Sequence, residues 1–269
     1  MTVQEYNELG TKLERLLLLR YSPIAFKLLR EGDPIPENSW RPFADRGQHM
    51  AMCQAYAAVR RDRQAITMLK EDHWCVWPLV SFGICPLKEG DAEKYGDKFF
   101  VDDRQKSIEY FKNEYPRLKE EGIIGFTIAP LRSCQFEPDL VTVYCRPGQI
   151  RSLQMAAKFH SGKMLELKLD PVDSCVHSSI PVLNGQDFNI TFPDPGEYER
   201  ALTDEDEVMF TMRAEKVSEI VEVLQFLANV NFGYQEMSMS MWYDFPRPVF
   251  YNEMFEGWGL ATGDVWTKS

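Results

Sequence analysis

Residues 140–169, LVTVYCRPGQIRSLQMAAKFHSGKMLELKL, decide the fold class. Leu140–Cys145 is an apolar run and reads as a strand. Pro147 stands where a helix starts, because its missing N–H falls on an amide that has no intrahelical acceptor anyway. Ile150, Leu153 and Ala157 then recur at i, i+3 and i+7, a helical stripe reaching about Phe159. Met164–Leu169 reads as the next strand. Strands separated by helices argue for an α/β or α+β sheet domain with helices packed on it.

The same alternation continues outward. Residues 3–20 carry Tyr6, Leu9, Leu13, Leu16 and Leu17 as a helical stripe, and Pro23–Leu29 (PIAFKLL) reads as a buried strand. EGDPIPENSWRPF, with its three prolines, is a loop. Asp45 is placed to cap a helix running to about Arg61. Ala65–Glu71 is a strand and His73–Pro78 (HWCVWP) the turn out of it. Residues 86–104 are loop or short helix, Gln105–Leu118 is helical and Gly125–Leu131 a strand. Beyond the opening stretch, Cys175 starts an apolar segment. Strands follow near Phe188–Phe192 and at Glu207–Met212, then a helix at Glu215–Leu227.

Cys75 and Cys175 stand 100 positions apart. At that offset Met50, Cys53 and Ala57 fall on Ile150, Leu153 and Ala157, and AITMLKEDHWC falls against MLELKLDPVDSC. The match predicts two similar strand–helix–strand units, about 22–125 and 126–230, in one domain over residues 1–230. From Asn231 the chain is dense in aromatics and methionine and has no clean period. This extension, 231–269, is expected to pack on the domain or on a second subunit, because an apolar strip left in water invites association.

The composition is that of a globular chain, 44% hydrophobic and 26% charged, with a formal net charge of −11. Basic residues form no cluster beyond short pairs such as Arg60–Arg61, which speaks against nucleic acid and anionic membranes as partners. Those two arginines end a helix, where cations complement the dipole. No basic, apolar leader is visible, and no run approaches the roughly 20 apolar residues of a membrane span. The six cysteines, Cys53, Cys75, Cys85, Cys134, Cys145 and Cys175, show no tight pairing and read as free thiols of a reducing cytoplasm. A small-molecule ligand and a homo-oligomer are the partners in view.

The sharpest local signal is His73–Trp74–Cys75 with Cys175–Val176–His177, a histidine two residues from a cysteine in mirrored order. Three readings stay open. The two thiols and two imidazoles, with Cys53, could hold a transition metal or an iron–sulfur cluster. A histidine could activate Cys75 or Cys175 as a nucleophile. The cysteines could equally be core residues with hydrogen-bonded histidines. Lys27 puts a charge inside an apolar strand, where it leans to solvent or reaches an anion. Trp74 and Trp77 could line an apolar or aromatic-substrate pocket. No P-loop, GxGxxG, GxSxG or HExxH pattern is present.

SPIAFKLL, MAMCQAYAAVRR, LKEDHWCVWPLVSFGI and PDLVTVYCRPGQIRSLQMAA resemble the prokaryotic family catalogued as domain of unknown function 169. The resemblance spans roughly residues 20–230, its end marked by DFNITFPDPGEYERALTDEDEVMFTMRAEKVSEIVEVL. It implies recurring cysteines like Cys53, Cys75 and Cys175, a lysine like Lys27, and hosts that are anaerobic bacteria and archaea. Some members carry a further cysteine where this chain has PDPGEYER. The resemblance implies no particular reaction.

Together these observations predict a cytoplasmic small-molecule enzyme with a Cys/His pocket between its two units. Cys75, Cys175, His73 and His177 would carry the chemistry, Lys27, Trp74 and Trp77 would bind substrate, and Cys53, Cys75 and Cys175 would be the metal ligands if one is held. A binding protein for a metal, cluster or cofactor is the first alternative, and a structural subunit assembling through its aromatic tail the second.

Overall fold

The computed structural model describes residues 1–96, 101–230, 232–234 and 247–265. Among them seven strands form one sheet: β1 Ile24–Arg30, β2 Ser39–Trp40, β3 Ala65–Leu69, β4 Ile123–Pro130, β5 Leu140–Cys145, β6 Phe188–Thr191 and β7 Val208–Arg213. The helices are α1 Val3–Leu17, α2 Pro42–Arg46, α3 Met52–Asp62, α4 Val76–Ser81, α5 Asp91–Tyr95, α6 Arg104–Asn113, α7 Pro147–Lys158, α8 Ser174–Leu183, α9 Pro195–Arg200, α10 Val217–Asn229 and α11 Val249–Gly257. The sheet runs β2-β3-β4-β1-β5-β7-β6; β2 pairs parallel with β3 and every other neighbour is antiparallel. The chain is thus a mixed α/β protein.

Strand alternation divides the core into two layers. On one face Ala25, Val141, Val143, Phe210 and Met212 pack with the apolar stripes of α1, α7 and α10. On the other, Phe26, Leu28, Phe126, Ile128 and Tyr144 pack with residues of α3, α6 and α8. The second layer holds the candidate site.

Two local expectations are corrected. Asp45 does not cap the helix reaching Arg61. It lies in α2 and accepts from the Arg41 amide at 2.7 Å. Gly47, in the left-handed region at φ 63°, ends that short helix, and α3 starts afresh at Met52 with the Ala51 amide held by Gln54 Oε1 at 2.9 Å. Residues 164–169 form no strand. Leu165 and Leu167 do rest against the first core layer. Side-chain alternation reports one-sided burial, however, and carries no information about whether the backbone finds a ladder partner.

The sheet order is symmetric about the β1–β5 pair: β4 then β3 lie outward on one side, β7 then β6 on the other. β4 and β7 each run directly into a short 3₁₀ turn, Leu131–Ser133 and Ala214–Lys216. α3 precedes β3 as α8 precedes β6, so the topology sets Cys53, the second residue of α3, against Cys175, the second residue of α8. The 100-residue spacing instead sets β3 against 165–169, which is outside the sheet.

Met1–Tyr234 forms one compact unit and Gln235–Ser269 another. In the second, Arg247 and Val265 form an isolated parallel bridge, and the Asn252 side chain bonds both the carbonyl and the amide of Gly263. The segment MSMSMWYDF of the expected aromatic extension lies outside the described residues.

Candidate functional site

The site is built around DPVDSCVH, residues 170–177, the approach to α8 and its first turn. Asp173 sits at the helix N-cap in the left-handed region, φ 50° and ψ 52°, a conformation a non-glycine residue adopts at a cost. Its carboxylate turns inward and accepts from Tyr115 Oη at 2.8 Å. The helix start is held instead by Asp194, whose Oδ2 accepts from the Ser174 amide at 2.7 Å. Its Oδ1 accepts from the Glu197 amide at 3.0 Å, so one carboxylate caps α8 and α9 together.

Pro181 interrupts α8 and removes the amide that would bond the His177 carbonyl. Asn189 Nδ2, on β6, donates to that carbonyl at 2.6 Å and replaces the lost bond. The helix therefore tolerates its proline, and His177 is anchored to the sheet edge.

Residues two apart on a helix point to different sides, so Cys175 and His177 diverge. His177 faces a cleft of about 360 Å³ lined by Tyr110, Lys168, Asp170, Gln186 and Asn189, among others. Its Nε2 stands 3.4 Å from Tyr110 Oη and 4.0 Å from Asp170 Oδ1, and Tyr110 Oη donates to Asp170 Oδ2 at 2.9 Å. The Tyr115 ring meets His177 edge-on at 5.8 Å. Burial pulls the His177 pKa below its ordinary value against the opposing charges of Asp170 and Asp194. Burial pushes Asp173 up to about 7, with Asp194 and Asp170 adding to the shift and the Tyr115 hydrogen bond opposing it.

Cys175 turns the other way and lies within electrostatic range of Cys53 and Cys75. Cys53 and Cys75 share a small apolar cluster with Ala51, Ala57 and Ala201. Burial drives the Cys53 thiol up to about 12 and Cys175 well above its ordinary value, and raises Cys75 as well. Arg200, from PDPGEYER, faces Cys53 and Cys75 and lies over the Trp74 ring at 5.0 Å. A Cβ at Gly196 would meet the Arg200 guanidinium, so any larger residue there would push that side chain aside.

Behind the thiols lies a buried polar layer. Glu197 accepts from Tyr144 Oη at 2.7 Å and Thr203 Oγ1 at 2.8 Å, and burial raises it to about 7 despite those bonds and the nearby Arg60. Arg60 is buried, donating to both Glu207 oxygens at 2.8 and 2.9 Å, with its guanidinium 3.9 Å from the Tyr144 ring centroid. The expectation that Arg60 merely complements a helix end is thus corrected: it is a core ion pair. Tyr56 Oη and Ser179 Oγ, 3.0 Å apart, join α3 to α8.

The remaining expected residues lie elsewhere. His73 is buried with neither ring nitrogen hydrogen-bonded among the described residues, its ring edge-on to Phe126 at 5.6 Å. The charges it feels are Asp72 and Glu71, not Cys75. Lys27 lies on the sheet face opposite Phe26 and Leu28, away from α3 and α8, and donates to the Glu137 carbonyl at 3.3 Å. Trp74 is exposed, whereas Trp77 packs in the core against Phe111 and Tyr115. Among the described residues no three His, Cys, Asp or Glu side chains form a group able to hold a metal ion.

Fold and site together define a mixed α/β protein with a cysteine layer and a histidine cleft on opposite sides of one helix. The chain belongs to the DUF169 family, described as "Uncharacterised ArCR", whose profile matches residues 12–223. It is similar to the uncharacterized protein MJ0308 of Methanocaldococcus jannaschii, with 24% identity over 237 residues covering 86% of this chain and 98% of that one. No solved structure matches. Among the described residues no helix is long and apolar enough to cross a membrane.

Asp170, Asp173, Asp194, Glu197 and Arg200 were not singled out by sequence. They sit in DPVDS and PDPGEYER, segments that entered the sequence reading only through the internal match and the family resemblance. The left-handed Asp173 and the shared cap at Asp194 become visible only when the two segments meet.

Proposed function

We propose that the protein is a small-molecule enzyme working by acid–base chemistry in the cleft at His177. The observation that carries this is the Tyr110–Asp170–His177 group on the wall of a cavity large enough for a metabolite. An imidazole with a depressed pKa is neutral near pH 7 and able to take a proton from a bound substrate. Asp170 faces the imidazolium so formed, and Tyr110, donating to the same carboxylate, positions it. Lys168, Gln186 and Asn189 favour a small polar substrate over the apolar or aromatic one that Trp74 and Trp77 suggested, since neither tryptophan lines the cleft. The thiols serve as its backing, linked to it through Asp173 and Tyr115.

A library of small polar carboxylates, amines, amides and sugars, read by melting-temperature shift and by mass-spectrometric loss of compound, tests this. Compounds that stabilise or are consumed by the native protein lose that effect in His177→Asn and Asp170→Asn and keep it in Lys27→Ala. Consumption falls by about 10²-fold or more in His177→Asn. Full binding and turnover in His177→Asn would end the proposal.

A further inference from the structure

Residues 164–169, MLELKL, are strand-like in sequence yet lie outside the sheet. No backbone hydrogen bond joins residues 164–169 to any other described residue. Leu165 and Leu167 anchor one face on the core, while Met164, Glu166 and Lys168 point outward, Met164 being 89% exposed. The neighbouring strand β6 ends the sheet, its outer edge unpaired among the described residues. A groove of about 760 Å³, lined by residues 163–166 and 185–188 among others, separates the two. At the other end of the sheet β2 lies parallel on β3, and the segment precedes α8 as β2 precedes α3. The symmetric sheet therefore has a strand at one end whose counterpart is present in sequence and position but lacks a ladder. A segment whose amides and carbonyls have no ladder is open to pairing with another chain, as an unpaired strand edge is.

We propose that residues 164–169 pair antiparallel with the same segment of a second copy of this chain, about a two-fold axis through Leu167. The charges select this occupant. With Leu167 opposite Leu167, Leu165 faces Leu169, and Glu166 of each copy faces Lys168 of the other. Both ion pairs fall on the outward face; on the other face lie Leu165 and Leu167, which pack on the core, and the half-exposed Leu169. The segment is self-complementary, as an isologous interface requires. Opposite charges directly across an antiparallel pair stabilise it, and like charges there destabilise it. The inference is argued from the segment's own pattern and not from the acid–base reading, although Lys168 and Leu169 also line the His177 cleft; sedimentation reads the pairing without reading turnover.

Sedimentation velocity on the full chain tests it. The native protein is expected to sediment as a dimer. Glu166→Lys sets four lysines across the two-fold and weakens the dimer by about tenfold; Glu166 is exposed, so the subunit itself stays folded, as far-ultraviolet circular dichroism will report. The double variant E166K/K168E restores the pairs and the dimer. Because Lys168 also meets Glu114 of its own chain at 2.8 Å, the comparison is repeated in Glu114→Gln. A monomeric native chain, a dimer indifferent to E166K, or a loss that the double variant does not reverse would each overturn the proposal.

Discussion

His73 shows what a single buried group does to the whole stability curve. Neither of its nitrogens has a partner among the described residues, so the neutral ring already forgoes hydrogen bonds, and charging it costs more. Burial lowers its folded pKa from 6.5 to about 4, against the opposing charges of Asp72 and Glu71. The unfolded chain then binds the extra proton between those values, so the stability owed to His73 is full above pH 6.5 and drains away as pH falls toward 4. The loss approaches about 3 kcal/mol. Asp173 and Glu197, raised to about 7, work in the opposite sense: their contribution is full below the ordinary carboxylate range and is lost as pH rises through 7. Urea unfolding at pH 7.5 and pH 5 should therefore show a smaller acid loss in His73→Phe than in the native chain. Equal losses would mean that His73 does not titrate in this window. Cys53, Cys75 and Cys175 could be singled out as residues from spacing and from the family resemblance, whereas the 100-residue offset did not match the topology that places Cys53 and Cys175 alike at helix starts. The roles of the two histidines were not legible, because a two-residue spacing says nothing about side-chain direction until the secondary structure is fixed.

At the scale of elements, α3 is tied to the sheet by a charge pair inside the core. Arg60 is 1% exposed and the Glu207 side chain 4%, so neither ion has water to fall back on. Glu207→Gln strands the guanidinium and should cost about 3–5 kcal/mol in chemical denaturation, whereas joint replacement of both by apolar residues recovers most of that. A double variant no more stable than Glu207→Gln would show that the surrounding layer of Thr203, Tyr144 and Glu197 depends on the pair. Sequence reading placed Arg60 at a helix end correctly and missed its burial, because helical position and depth are separate questions. The stripe of α7 and the runs of β1, β4 and β5 were readable for the opposite reason: their period or apolar content is itself the record of burial. Residues 164–169 fall between these cases. Their alternation is real, and it reports an inner face without a ladder.

Across the whole molecule, both core layers draw on residues from Tyr6 to Tyr234, and all seven described strands lie in that span. Cooperative stability follows the shared core, not chain length. The aromatic and methionine density after Asn231 suggested by composition alone a covering for the domain or a subunit contact. Composition cannot say which atoms such residues meet. The architecture gives a sharper expectation: a chain ending at Tyr234 retains the sheet, the cysteine layer and the His177 cleft, because every residue named in them precedes that point. Its thermal transition should remain single and cooperative, with near-ultraviolet circular dichroism from the Phe26, Phe82 and Phe126 stack preserved. A shortened chain that unfolds broadly or loses that signal would show that residues 235–269 complete the core. If it folds but no longer consumes what the full chain consumes, the second unit acts on the site without building the fold.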